Sequence, residues 1–339
     1  MKRLLSILLA AVFVFALASC NPAPQTGDTT APQTEETPIP QTGEMDVYVL
    51  AGPTGIGAVN LWAKAEEGKT QNTYNFNLVA ANDEILAAIS KGEADIAAVA
   101  TNLASTLYNK TEGKVTVLAV NTLGVLSILT KDTELKSIAD LKGKTLYTPG
   151  QGANPEYILR YVLEGNGIDP DKDLTVKFVG DGSELPAIWA KEPDAVIMAP
   201  QPVATSILMK YTDAKTAFDM TAEWEKISGA QNLMMGCVIV RNEYLAENPG
   251  AVQTFLKEYE ESVNAAKADA AATGVLCEKY GIIPKAAIAT KAIPFCGLSY
   301  VDGADMKAGL SAYLDIMFKA NPKSVGGALP ADDFYYAGK

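Results

Sequence analysis

Short apolar runs alternate with helical stretches along the first part of the chain. The runs typical of buried strands are 47–51, 76–80, 96–100 and 115–120. Between them, apolar residues recur at helical spacing over 57–65, 82–90 and 103–108. Strands that are apolar on both faces and alternate with helices predict a parallel α/β sheet.

The same alternation then begins again. The second set of strand-like runs is 125–130, 145–147, 174–179 and 195–199. Its helical stretches are 154–164, 183–191 and 203–210, and a further strand at 234–240 precedes a long helix over 251–272. Two successive α/β sets of similar size predict two lobes, each with its own sheet.

The amino terminus predicts export from the cell. Lys2 and Arg3 precede an apolar run over 4–17. This run is shorter than the about 20 residues of a membrane span and typical of a signal peptide. The run ends in Leu17-Ala18-Ser19-Cys20, which resembles the lipobox of bacterial lipoproteins. The resemblance implies a signal peptide over 1–19 and a lipid on Cys20; the alternative is an ordinary secretory signal with an incidental cysteine.

Residues 20–45 are rich in Pro, Thr, Gln and Gly and almost free of apolar side chains. Such a segment buries too little surface to offset its ordering entropy, so we expect a flexible tether. The body that follows is long enough for two lobes. The net charge of −12 disfavours nucleic acid as a partner and also disfavours docking on anionic lipid through a basic patch.

The chain contains no histidine, which removes the commonest general base and the commonest transition-metal ligand. No cysteine pair has zinc-ligand spacing, and no glycine-rich phosphate loop is present. Cys237 lies in an apolar run and is predicted to be a buried strand residue, whereas Cys277 and Cys296 could pair outside the cell. Carboxylates could still act alone, and the two-lobed pattern by itself fits a two-domain enzyme as well as a binding protein. The residue types nevertheless offer little for catalysis, and we expect no enzymatic activity, no cofactor and no metal.

An ordered series of short motifs resembles the NMT1/THI5-like and nitrate/sulfonate/taurine group of type II periplasmic binding proteins. The motifs are Gly92-Glu93-Ala94-Asp95-Ile96-Ala97, Asp140-Leu141-Lys142-Gly143-Lys144, Gly150-Gln151-Gly152, Asp194-Ala195-Val196 before Pro200-Gln201-Pro202, and 237–241 before Glu247-Asn248-Pro249. The series spans nearly the whole body. Its order and spacing are more specific for the fold than for the ligand.

The resemblance implies two α/β lobes that are joined by hinge strands and close on a small molecule. Lobe 1 would comprise 46–122 and 237–339, and lobe 2 would comprise 123–236. It also implies an ABC importer with permease and ATPase partners, and a monomeric binding protein outside the cell, held to the membrane by lipidated Cys20.

The group includes a cytosolic enzyme that consumes its own histidine in making the thiamine pyrimidine, which a chain without histidine cannot be. Two alternatives stay open: a sensor that presents its solute to a receptor, and a secreted hydrolase in which Asp181 or Asp83 acts alone.

Ligands of open α/β sheets bind where strand-end loops and helix N-termini meet. By this criterion the candidate ligand-binding residues are Pro53, Thr54, Asn82, Thr101, Asn102, Gly152, Asn154, Asp181 and Gln201. Thr54, Thr101 and Asn82 are equally good as helix N-caps, and the glycines around Gly152 also suit a plain tight turn. In the family the position of Gln201 is commonly glutamate, so a role that needs the acid is in doubt here. The helical aromatics Trp62, Tyr108 and Trp189 are more typical of a core than of a ligand stack.

Arginine usage bears on the charge of the ligand. Only Arg160 and Arg241 follow the signal segment. Glu156, Arg160 and Glu164 share one helical stripe at i, i+4 spacing, which predicts that Arg160 forms ion pairs. Arg241 ends a strand and is expected at the surface. With no guanidinium free for an anion, a neutral ligand, such as a heterocyclic vitamin precursor, is favoured over a sulfonate or other small organic anion.

Overall fold

The computed structural model describes residues 42–180, 182–229 and 232–338. The predicted signal peptide, lipidated Cys20 and most of the tether lie outside these residues, as does the candidate ligand residue Asp181. The described residues all fall in one compact unit, Ile39–Lys339.

The described residues form eleven strands, nine of which lie at the predicted apolar runs, while those at 215–219 and 298–301 were not predicted. The strands are β1 (Glu44–Leu50), β2 (Thr73–Val79), β3 (Ile96–Ala100), β4 (Val115–Thr122), β5 (Leu126–Thr130), β6 (Thr145–Thr148), β7 (Thr175–Phe178), β8 (Val196–Pro200), β9 (Lys215–Asp219), β10 (Gly236–Arg241) and β11 (Leu298–Val301). The helices are α1 (Pro53–Ile56), α2 (Val59–Glu66), α3 (Asn82–Lys91), α4 (Thr101–Lys110), α5 (Asn154–Gly165), α6 (Leu185–Ile188), α7 (Val203–Lys210), α8 (Met220–Ser228), α9 (Asn242–Glu247), α10 (Pro249–Ala268), α11 (Ala270–Lys279), α12 (Ala286–Ala292) and α13 (Gly303–Ala320).

The strands form two separate sheets. One sheet has the order β11-β4-β10-β3-β1-β2 and the other the order β7-β6-β8-β5-β9. Strand β1 pairs in parallel with β2 and β3, and β6 pairs in parallel with β7 and β8. Both sheets are mixed rather than purely parallel, because β10 runs antiparallel between β3 and β4, and β5 runs antiparallel between β8 and β9.

The chain passes from the first sheet to the second through a short crossing segment between Thr122 and Leu126, and it returns between α8 and β10. The two crossing segments are hydrogen-bonded to each other, because the Met235 N–H donates to the Thr122 carbonyl at 3.0 Å. Two hydrogen-bonded connecting segments therefore join the two sheets. The lobe boundaries at 122/123 and 236/237 stay a prediction.

Two elements differ from their predicted form. The helix expected over 251–272 is interrupted at Asp269, whose backbone leaves the helical region at φ −135° and ψ 84°. Its carboxylate accepts a hydrogen bond from the Ala272 N–H at 2.9 Å and so caps α11. The helix expected over 183–191 shortens to α6 and a preceding 3₁₀ turn over Gly182–Glu184.

The three described cysteines are all buried and free. Cys237 lies in β10, as predicted for a buried strand residue. Cys277 and Cys296, which the sequence left open as a disulfide, belong to one apolar cluster and are thiols in the structure. Among the described residues, no helix combines the length and the apolar character that crossing a membrane requires.

Trp224 lies in a buried aromatic group to which elements of both sheets contribute. This side chain is fully buried on α8, with its ring centroid 5.6 Å from that of Tyr313 on α13 and 4.4 Å from that of Tyr161 on α5. Helix α13 also packs on β4 of the first sheet and on α5 of the second. The aromatic group therefore belongs to a core that both sheets share.

We expect Trp224→Ala to lower the free energy of unfolding by about 3–5 kcal/mol, because it removes a large buried ring and leaves a cavity. Urea unfolding followed by circular dichroism measures this change. Val275→Ala is the control, since Val275 is 60% exposed and its truncation should cost less than about 0.5 kcal/mol. Equal effects of the two substitutions would contradict the assignment of Trp224 to the shared core.

Candidate functional site

The candidate site is the region where strand-end loops of both sheets meet the crossing segments. On the first sheet, Thr101 follows β3, and its N–H donates to the Met235 carbonyl at 3.0 Å. On the second sheet, Gln201 follows β8, and its N–H donates to the Val125 carbonyl at 2.9 Å. Each loop is thus hydrogen-bonded to one of the two crossing segments, so the ends of β3 and β8 both lie beside these segments. We call the two crossing segments the floor of the candidate site.

The loop after β1 also lies at the candidate site. Gly52 adopts φ 98°, a conformation that favours glycine, and Pro53 begins α1. The Thr54 carbonyl accepts a hydrogen bond of 3.0 Å from the Asn121 side chain, which is 1% exposed at the end of β4. The Thr54 hydroxyl makes no hydrogen bond to a described residue, and Gly52 holds the cap position of α1. The capping hypothesis for Thr54 is therefore wrong, and its hydroxyl is free to meet a ligand.

The capping hypotheses for the other two residues are also wrong. Thr101 is fully buried, and its hydroxyl donates to the Met234 carbonyl at 2.7 Å, so this side chain holds the return segment. Asn82 is the first residue of α3 rather than its cap, because Glu84 accepts from the N–H groups of Ala80 and Ala81. Asn82 is exposed and follows β2, which lies at the margin of the sheet beyond β1.

Asn102 is the second residue of α4 and is half-buried. Its side-chain amide makes no hydrogen bond to a described residue. Helix α4 has no side-chain cap, so the N–H groups of its first turn lack the partner that a cap supplies. The start of α4 therefore offers hydrogen-bond donors beside the floor.

The glycine-rich loop between β6 and α5 lies beside the end of β8. Tyr147 of β6 pairs with Ile197 of β8, which places the two strand ends next to each other. Gly152 adopts φ 72°, and its N–H donates to Glu156 at 2.7 Å, so the tight-turn interpretation accounts for this glycine. Asn154 begins α5 with 5% of its surface exposed, and its Oδ1 is buried without a hydrogen bond. An unsatisfied buried acceptor costs about 1–3 kcal/mol.

Gln201 is 5% exposed, and its side-chain amide has a fixed orientation. Its Oε1 accepts from the Thr205 N–H at 3.2 Å and from the Thr205 hydroxyl at 2.7 Å. Its Nε2 donates to no described residue. The position therefore presents a hydrogen-bond donor.

The helical aromatics have partners inside the body, as expected for core residues. Trp62 is stacked between two rings, with centroid distances of 4.9 and 4.4 Å. The Trp189 Nε1–H donates to a backbone carbonyl at 2.8 Å, and the Tyr108 hydroxyl donates to a carboxylate. The partners are Phe76 and Tyr280 for Trp62, Ala195 for Trp189 and Asp333 for Tyr108.

Both arginines are engaged in ion pairs. Arg160 binds Glu156 at 2.9 Å, which confirms the predicted i, i+4 pair, and it binds Asp171 at 3.1 Å rather than Glu164. Arg241 is less exposed than expected at 18% of its side chain, because it binds Asp95 at 2.7 Å. Within the described ranges, no group of His, Cys, Asp and Glu side chains is arranged to hold a metal ion.

Two residues of the site escaped the sequence analysis. Asn121 positions the Thr54 loop, and Thr205 fixes the Gln201 amide. The signal for Asn121 was a lone amide at the end of an otherwise apolar strand. The signal for Thr205 was its i+4 spacing from Gln201 at the start of a helix.

Comparisons with known proteins agree with this architecture. The NMT1/THI5-like family model matches residues 75–272. A Brucella abortus protein described by name as a candidate binding protein is 25% identical over 186 residues, or 55% of this chain and 56% of that protein. The chain thus spans about half the length of the curated relatives it matches.

Solved structures share the fold. An ABC transporter protein from Parabacteroides distasonis superposes with a TM-score of 0.72 at 22% identity, covering 86% of this chain and 98% of that one. The periplasmic aliphatic sulphonate binding protein of Escherichia coli gives 0.69 at 14% identity, covering 88% and 93%. The periplasmic nitrate-binding protein of Synechocystis gives 0.57 at 12% identity, covering 85% of each chain. The predicted two-lobed α/β periplasmic-binding-protein fold is confirmed.

The ionisable groups predict a flat stability profile around neutral pH. Hydrogen bonds from the N–H groups of Lys136 and Ser137 lower the pKa of Asp140, so its stabilising effect is present above about pH 4 and is lost in acid. Burial raises the pKa of Cys277 to about 12, so its contribution is present below about pH 8.5 and is lost in alkali. The chain has no histidine, the side chain that most commonly titrates near neutral pH.

We therefore expect the thermal midpoint to vary by less than about 2 °C between pH 6 and pH 8 and to fall below pH 4. Differential scanning calorimetry at constant ionic strength measures this. A step in the midpoint centred near pH 6.5 would contradict the prediction.

Proposed function

Because the chain belongs to the NMT1/THI5-like family, we propose that it is the solute-binding component of an ABC importer, working outside the cell. It binds one small molecule between its two sheets and delivers it to permease and ATPase subunits. Lipidation of Cys20 tethers it to the membrane, and the protein acts as a monomer without a cofactor.

The observation that carries this proposal is the attachment of polar loops from both sheets to one pair of crossing segments. Thr101 from the first sheet and Gln201 from the second are each hydrogen-bonded to a crossing segment. Rotation about these segments would open or close the gap between the sheets without breaking either sheet. A hinged gap lined by polar groups supports reversible binding, and the missing histidine disfavours catalysis.

The polar groups favour a ligand that is rich in hydrogen-bond acceptors. Helices α4 and α5 begin at the candidate site without side-chain caps, and the Gln201 Nε2 is a further donor. Both arginines are already paired with carboxylates. A neutral heterocycle with carbonyl or ring-nitrogen acceptors, such as a vitamin precursor, satisfies these donors without requiring a counter-charge.

A small organic anion is the second candidate. Uncapped helix N-termini carry partial positive charge and bind anions without an arginine. Two of the solved structures that share the fold are named as sulphonate-binding and nitrate-binding proteins. A sensory role, in which the loaded protein is recognised by a receptor, uses the same site and differs only in the partner.

A thermal-shift screen of the ligand-stripped protein tests the proposal. The panel comprises pyrimidines, flavins, purines, alkanesulfonates, nitrate, amino acids and sugars. A ligand present at a hundredfold excess over its Kd adds about 2.7 kcal/mol of stability, which raises Tm by about 5–10 °C. We expect a response from a heterocycle class with no turnover of the ligand.

Competition separates the two candidates. Tight binding of an alkanesulfonate, with no response to any heterocycle, would contradict the neutral-ligand proposal and support the anion. Chemical conversion of the bound molecule would overturn the transport proposal.

Two isosteric substitutions distinguish a ligand contact from a structural contact. Thr54→Val removes a hydroxyl that has no described partner, so we expect unchanged stability and about a three- to tenfold loss of ligand affinity. Thr101→Val removes the buried hydrogen bond to Met234 and should lower the unfolding free energy by about 1–3 kcal/mol. Isothermal titration calorimetry and urea unfolding measure the two effects; the reverse pattern would contradict these roles.

A further inference from the structure

The amide of Gln201 is held in one orientation by a single neighbouring residue. A backbone N–H can only donate, so the side-chain atom that lies 3.2 Å from the Thr205 nitrogen must be the acceptor Oε1. The Thr205 hydroxyl lies 2.7 Å from the same oxygen and donates to it as well. Reversing the amide would place its NH₂ group against the Thr205 N–H and lose that hydrogen bond, whereas the hydroxyl could accept from the NH₂ group instead. The backbone N–H of Thr205 therefore sets the orientation, and the hydroxyl strengthens it.

The surroundings keep this pair away from competing water. Gln201 is 5% exposed and Thr205 is 6% exposed. The backbone of Gln201 is fixed as well, because its N–H donates to the Val125 carbonyl in the crossing segment. The only part of the side chain without a described partner is Nε2, which therefore is the group that a bound molecule meets.

We propose that Thr205 is a positioning residue that sets the hydrogen-bonding polarity of the binding site by holding the Gln201 Nε2 toward the ligand. This inference rests on the proposed binding function. It specifies that the ligand places an acceptor atom at Gln201 and that a donor at this point is rejected. The identity of residue 201 alone does not give that result, since an amide free to turn presents either group.

Gln201→Glu changes the hydrogen-bonding character of this side chain with little change in its shape. Glutamate at position 201 has the shape of glutamine, and one of its oxygens accepts from the Thr205 N–H and hydroxyl. The second oxygen then occupies the place of Nε2 and turns the donor into an acceptor. Gln201→Glu should therefore invert the preference of the site while leaving the Thr205 hydrogen bonds in place.

The first experiment examines the unliganded protein, so it does not depend on the ligand. Nuclear Overhauser spectra of the isotope-labelled protein measure contacts between the Gln201 side-chain NH₂ protons and the Thr205 amide proton. We expect a weak or missing cross-peak in the wild type, because Oε1 separates the two groups. A strong cross-peak would mean a reversed amide and would overturn the inference.

The second experiment measures the affinities for two named probes, ethanesulfonate, which offers only acceptors, and uracil, which offers carbonyl acceptors and N–H donors. We expect Gln201→Glu to weaken ethanesulfonate binding by at least about tenfold more than it weakens uracil binding. Thr205→Val removes the hydroxyl bond but keeps the backbone N–H that orients the amide, so it should reduce the discrimination between the probes by about threefold at most. Thr205→Ser, which keeps the hydroxyl, should leave the discrimination at the wild-type level.

Thr111→Val is the matched control, because Thr111 directly follows α4 and its hydroxyl donates to the Leu107 carbonyl of that helix. Unchanged discrimination in both Gln201→Glu and Thr205→Val, with probes still bound, would overturn the inference and leave the binding function intact. If neither probe binds the wild type while the wider ligand screen is also silent, the proposed function fails, and the spectra still decide the orientation of the amide.

Discussion

The backbone hydrogen bond between Met235 and Thr122 is the contact on which the site depends. It pairs the segment that leaves the first sheet with the segment that returns to it, so the two sheets have one defined connection. Thr101 and Gln201 attach to this pair from opposite sides. Loops from the two sheets consequently lie beside the same pair of crossing segments, so a ligand that contacts both loops would stabilise one relative position of the sheets.

Polar groups of similar chemistry have different tasks around the floor of the candidate site. The Thr101 hydroxyl donates a hydrogen bond to the Met234 carbonyl, whereas the Thr54 hydroxyl has no described partner. In Gln201 both roles occur in one side chain. Its Oε1 accepts hydrogen bonds from Thr205, and its Nε2 has no described partner. These groups present hydrogen-bond donors, as do the starts of α4 and α5, which have no side-chain cap.

Both arginines of the body are engaged with carboxylates. Arg160 and Arg241 each bind two carboxylates, so their guanidinium groups stabilise a helix surface and a strand end. In the proposed binding function, amides, hydroxyls and backbone N–H groups would contact the ligand instead. None of these titrates near neutral pH, and the chain has no histidine that would add such a dependence.

Local spacing along the sequence determined the alternation of strands and helices, the two-lobed fold and the ion pair of Arg160 with Glu156, because each depends on residues a few positions apart. Tertiary structure decided the rest. Asp269 interrupts a helix that its periodicity would continue. The partner of the Thr101 hydroxyl is 133 positions away, so the choice between cap, ligand contact and structural contact was made by long-range packing, which a pattern of neighbours does not contain.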